Sequence, residues 1–138
     1  MKEAKFGDMV GEKIEDIEMI KSKDEGDIVE IHFYTRHWDY SLYHNQNCSE
    51  YVYVADICGD VEDLVGEVIT LSEEVHYGRD EVPPLVKAHE VEESFTWTFY
   101  KLGTIKGVVT FRWIGTSNGY YSESVEFGKL VRKKRKVG

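Results

Sequence analysis

The sequence is poor in the residues that punctuate or staple a chain: two prolines and two cysteines among 138 residues. Cys48 and Cys58 cannot build a disulfide framework, so a reducing cytoplasm is the expected compartment. So few prolines beside 41% hydrophobic residues argue against wholesale disorder. No run approaches the roughly 20 apolar residues that cross a bilayer. Met1-Lys2-Glu3-Ala4-Lys5 lacks the apolar stretch of a signal peptide. The expectation is one soluble domain over residues 1–128.

Cations are also scarce, except at one end. Residues 1–128 carry a net charge of −15, while residues 129–138 carry Lys129, Arg132, Lys133, Lys134, Arg135 and Lys136 with no acid, leaving −9 in total. Such a body repels phosphate backbones, so duplex DNA is not an expected partner for it. A basic protein surface is. The tail has the composition of a nuclear-localisation run and is expected to be disordered.

What is present is strand pattern. Ser94–Lys101, Val109–Trp113 and Tyr121–Phe127 alternate large apolar with polar residues, and Asn118-Gly119 supplies turn chemistry. These predict a three-stranded antiparallel meander. Asp27–Arg36 predicts a strand with Val29, Ile31 and Phe33 on one face; Trp38–His44 is its expected partner. Glu50–Cys58 reads as an interior strand, because Val52 and Val54 alternate with other apolar residues. Asp60–Gly66 has an Asp cap, early acids and a closing Gly, which predict one short helix. Glu67–Leu71 reads as a strand. Val10–Ile20 fits helical spacing and an edge strand equally well. Ser72–Glu93, acidic around Pro83-Pro84, reads as a solvated excursion or a short helix. The fold class expected is mostly β, in an α+β sense: an antiparallel sheet ending in the meander, with one short helix.

Three constellations invite chemistry. His44, Cys48, Glu50, Asp56 and Cys58 are metal-ligating types, but Cys48 to Cys58 spans about 33 Å of extended chain, too far for one ion. No metal or cofactor is expected. His44 with Cys48 or Ser49 supplies the residue types of a small hydrolase, although no spacing constrains them to meet. The third is the meander. If Phe95, Trp97, Phe99, Val109, Phe111, Trp113, Val125 and Phe127 face the core, the opposite pleat gathers Thr96, Thr98, Tyr100, Thr110, Arg112, Ser122 and Ser124, with Tyr120 near the turn. Hydroxyls, two rings and one guanidinium suit a planar anionic ligand such as a nucleotide. The plain alternative is a wet sheet face rich in Thr and Ser.

His44-x-Gln46-x-Cys48-Ser49-Glu50, then Asp56-Ile57-x-Gly59-Asp60 and Asp63-Leu64-x-Gly66, resembles an uncharacterised family of small proteins encoded largely by bacteriophages and prophages. Thr96–Leu102, Lys106-Gly107, Arg112-Trp113 and Ser117–Ser122 look like the same family, so the resemblance covers roughly residues 28–127. Relatives often carry paired cysteines where this chain has Cys48-Ser49, which weakens a metal or dithiol role.

The resemblance implies a genomic setting and no activity. Small phage accessory proteins without enzyme motifs commonly bind, often to blunt host immunity. The expectation is therefore a non-enzymatic protein of the host cytoplasm that counters defence by sequestering a nucleotide-derived signal. Arg112 would pair with phosphate, Tyr100 or Tyr120 would stack on a base, and Ser122, Asn118 and Gln46 would bind ribose or base edges. The His44–Glu50 loop and, in one arrangement, a second protomer would complete the site. The alternative is an acidic inhibitor that docks the carboxylates of residues 56–93 on the basic nucleic-acid-binding surface of a defence effector, as some anti-CRISPR proteins do.

Overall fold

The computed structural model describes residues 2–45, 50–77, 94–117 and 123–130. Among the described residues, alternating side chains and turn residues give nine strands: β1 (Lys2–Glu3), β2 (Ile14–Lys21), β3 (Ile28–Thr35), β4 (Asp39–Tyr43), β5 (Tyr51–Cys58), β6 (Leu71–Tyr77), β7 (Ser94–Thr104), β8 (Gly107–Ser117) and β9 (Glu126–Leu130). They form two sheets, five-stranded in the order β1-β9-β4-β3-β2 and four-stranded in the order β5-β8-β7-β6. Every pairing is antiparallel.

The inner faces of the two sheets bury one core. Ile31, Phe33, Tyr40 and Leu42 meet Val52, Tyr100, Leu102, Val109, Phe111 and Trp113, with Phe33 edge-on to Phe111 at 5.7 Å between ring centres. The N-terminal segment contributes through a 3₁₀ turn, Phe6–Met9, whose Phe6 ring touches both Tyr100 at 4.9 Å and Phe127 at 5.3 Å. Full burial of each such side chain stabilises by about 1.5–3 kcal/mol. A second cluster (Phe95, Trp97, Phe99 and Ile114) lies on the opposite face of the four-stranded sheet, against Tyr53, Val75 and Tyr77.

Mostly-β architecture from antiparallel sheets is what the alternation predicts. The β3–β4 hairpin also forms as expected. The short helix is a 3₁₀ turn, Val61–Leu64, with the Asp60 carboxylate accepting from the Glu62 amide at 3.0 Å. No α-helix occurs among the described residues, so the α+β description needs correcting to all-β.

Three further expectations need correction. Only β7 and β8 pair as a hairpin; β9 leaves for the other sheet, between β1 and β4. β5 is an edge strand, not an interior one. Residues 67–71 make only an isolated bridge at Val68, and the following strand, β6, starts at Leu71. Of the two readings left open for residues 10–20, the edge strand is the one that forms, as β2 (Ile14–Lys21) beside β3. No helix among the described residues is long and apolar enough to cross a membrane.

Candidate functional site

Three of the sequence-predicted site residues are described: Arg112, Tyr100 and His44. Gln46, Asn118, Tyr120 and Ser122 lie outside the described residues, as do Cys48 and Ser49. The three do not converge.

Tyr100 is wholly buried in the core between the sheets, so its placement on an outward face is corrected. Its hydroxyl donates to the Val125 carbonyl at 3.5 Å, and burial, then the Glu74 carboxylate, push its pKa up. Arg112 does lie on the outer face of the four-stranded sheet. There it makes a two-pronged ion pair with Asp56 directly opposite on β5, and its guanidinium sits 5.7 Å from the Phe99 ring centre. The Asp56 hydrogen bonds hold its pKa above the ordinary arginine value.

His44 follows β4 and is nearly enclosed, with 4% of its side chain exposed. One ring nitrogen, Nδ1, lies 2.7 Å from the Ser124 carbonyl; the other, Nε2, lies 3.2 Å from Glu50, whose side chain is fully buried. A carbonyl can only accept, so Nδ1 is the donor there. Both nitrogens are thus spent on holding the start of β5 and the lead-in to β9 against the end of β4. Asp56 and Glu50 are the partners that sequence reasoning missed, because strand register decides who faces Arg112 and His44.

The largest unassigned feature is the outer face of the five-stranded sheet. One cross-strand row runs Glu3, Gly128, Ser41, His32, Glu18. At about 4.8 Å per strand, Glu3 and Glu18 stand about 19 Å apart. Tyr43 pairs with Glu126 on this face, and Asp16 pairs with Tyr34. Glu30 belongs to it too, accepting from Ser41 Oγ at 3.2 Å and lying 3.1 Å from His32 Nε2. Tyr34 donates to Glu18 at 2.7 Å. Among the described strand residues, no Lys or Arg points from this face, whereas Glu3, Asp16, Glu18 and Glu126 are exposed and Glu30 half-buried.

Two hollows flank Tyr43 at the rim. One of about 630 Å³ is lined by Glu3, Lys5, Glu74 and Glu126; the other, about 430 Å³, by Ser22, Glu30, His44 and Asn45. The local field registers on Tyr43, whose pKa is raised by burial and then by Glu126, Glu30 and Glu3. Such a surface accepts cations and donors; it repels phosphate. The alternation of Glu30, His32 and Tyr34 was visible in sequence, but not that Glu3, Glu18 and Glu126 join them. Among the described residues no group of His, Cys, Asp and Glu is disposed to hold a metal ion.

No curated protein and no solved structure matches the chain. The family described as a domain of unknown function (DUF7448) matches residues 7–127, and the chain belongs to that family.

Proposed function

We propose that this chain is a non-enzymatic accessory protein of phage type, acting in the host cytoplasm by laying its acidic sheet face on the basic, nucleic-acid-binding surface of a defence protein. The observation that carries this reading is the outer face of β1, β9, β4, β3 and β2, where the charged strand side chains are carboxylates. Carboxylates arrayed over about 19 Å can meet several Lys or Arg side chains at once and steer association. The Tyr43 hollows would take the longest of those side chains.

Sequestration of a nucleotide-derived signal is the other form of the same binding role. It requires Arg112 to exchange Asp56 for a phosphate, with Gln46, Asn118, Tyr120 and Ser122 as further contacts. The acidic-face form is preferred because its charges need no such exchange.

The test uses the full chain and a deca-arginine peptide as the basic probe. Calorimetry should show binding at 50 mM salt that collapses by 300 mM, and Glu18→Lys with Glu126→Lys should weaken it at least about tenfold. Binding that ignores those two substitutions would overturn the reading.

A further inference from the structure

Among the described residues the two sheets end in four edges: β1 and β2 on one, β5 and β6 on the other. A sheet edge offers unpaired backbone N–H and C=O groups, and three of these four are blunted. β1 has two residues. β6 turns Glu74 to the core side, opposite buried Tyr100, so an added strand would meet a charge there. β5 is interrupted by a register shift between Val54 and Asp56. β2 differs. Its register with β3 is unbroken over Asp16, Ile17, Glu18, Met19 and Ile20, between shifts at either end. Ile17 and Met19, opposite the buried Phe33 and Ile31, turn inward and are half-buried against the core. No charged side chain points inward along that run.

Hydrogen bonding in the neighbouring strand fixes which backbone groups face outward. The Thr35 amide donates to the Trp38 carbonyl at 2.9 Å, away from β2. Alternation along β3 then turns Tyr34 toward Asp16, its opposite number, and leaves Ile17 and Met19 with their backbone groups directed to the edge. Two contacts agree with this. Before the first shift, the Ile14 amide donates outward to the Glu67 carbonyl at 3.3 Å, and the Ile17 amide is held by the Asp16 carboxylate at 2.9 Å. Gly66 and Glu67 cover the edge only at Ile14.

The charge along this edge names its occupant. On the outer face the run carries Asp16 and Glu18, both exposed, with Glu18 opposite His32. The one cation of the strand, Lys21, lies beyond the second register shift. Pairing with a second copy about Ile17 or Glu18 would set these carboxylates against their own kind, which destabilises a sheet. An extended segment with Lys or Arg at every second position and apolar residues between them matches both faces. Its cations meet Asp16 and Glu18, while its apolar side chains cover Ile17 and Met19.

From these observations we infer that the β2 edge captures a basic segment of the partner protein by strand addition, bonding its backbone along Ile17–Met19. The Asp16 carboxylate, released from the Ile17 amide, pairs with one of the incoming cations. The inference rests on the acidic-face reading for the sign of the partner's charge and adds the form in which that charge is presented.

The test titrates the full chain by calorimetry at 50 mM salt with a seven-residue peptide alternating Lys and Val. Hydrogen exchange at the Met19 amide should slow on binding. The same peptide with its backbone nitrogens methylated keeps its charge and should bind at least about tenfold more weakly. Met19→Glu adds a negative charge, which would strengthen purely electrostatic binding, yet should weaken this binding at least about tenfold by placing a charge against the added strand. An unchanged thermal midpoint shows that this variant is folded, and the methylated peptide tests the inference on the unaltered protein. Deca-arginine separates the two readings. If it binds while methylation of the Lys-Val peptide has no effect, strand addition is overturned and the acidic face stands. If it does not bind while the Lys-Val peptide does so in a methylation-sensitive way, the acidic face fails and strand addition stands. A dimer of the unaltered chain that Met19→Glu dissolves would put a second copy on this edge and overturn the inference.

Discussion

Arg112 and Asp56 face each other across the β5–β8 ladder and close a two-pronged ion pair beside the Phe99 ring. The guanidinium that looked like a phosphate ligand already holds a carboxylate of matching fork geometry. Removing that competitor should expose its latent affinity. Asp56→Ala is expected to gain binding to a nucleoside diphosphate relative to the unaltered chain, measured by calorimetry. Arg112→Ala should cost only about 1 kcal/mol of stability, because the pair is partly solvated. Micromolar nucleotide binding by the unaltered chain, abolished by Arg112→Ala, would instead restore the sequestration reading.

Tyrosine ionisation gives a second prediction. Burial, then the Glu12 and Asp8 carboxylates, push Tyr40 from 10.0 up to about 12, and Tyr100 is displaced further in the same direction by burial and Glu74. Both groups hold their protons in the folded state after the unfolded chain has lost them. Their contribution is complete below pH 10 and is lost as pH rises through the folded values. Unfolding free energy should therefore fall above pH 10, by up to about 1.4 kcal/mol per pH unit for each tyrosine. Tyr40→Phe should flatten that slope between pH 10 and 12, as followed by denaturant titrations.

Much of this frame was legible because alternation survives in single strands. Ile31 and Phe33 point inward as their spacing says, and Asp60 caps its turn. Register was not legible. The β7–β8 hairpin turns on two residues, Ile105 and Lys106, so odd-numbered β7 side chains share a face with even-numbered β8 ones: Phe99 opposes Arg112, and Tyr100 opposes Phe111. Grouping Phe95, Trp97 and Phe99 with Phe111 and Trp113 was therefore geometrically barred, and Tyr100 went to the core. A similar cause blurred β2. A bulge between Ile14 and Asp16 puts Ile14 and Ile17 on one side, a three-residue spacing that imitates a helix. Nor does a strand's composition name its partner, which is why β9 could not be assigned to the other sheet.

The His44–Glu50 pair ties together segments of both sheets from within. Removing one member of a buried hydrogen-bonded pair leaves the other unsatisfied and costs about 1–3 kcal/mol. His44→Ala and Glu50→Gln should each destabilise in urea unfolding, and the double variant should lose less than the two added together. A hydrolase using His44 makes a different forecast. It would lose turnover in His44→Gln with its stability intact.

Glycine contacts supply a prediction with opposite signs at two sites. A Cβ on Gly115 would lie 2.4 Å from the Glu123 carbonyl oxygen and 2.8 Å from its Cβ. Glu123 is buried there and accepts from Thr96 Oγ1 at 2.9 Å and from Ser117 Oγ. Both the backbone and this hydrogen-bonded side chain would have to shift, so Gly115→Ala should cost about 1–3 kcal/mol and perturb the Thr96 and Ser117 resonances. Gly7, by contrast, has nothing within 4 Å of the added carbon and no left-handed backbone. Gly7→Ala should therefore be neutral or stabilise by about 0.5 kcal/mol, through lost freedom in the unfolded chain. Thermal melts of the two variants decide the matter: if Gly115→Ala melts as high as Gly7→Ala, the close approach of β8 to the segment before β9 is wrong.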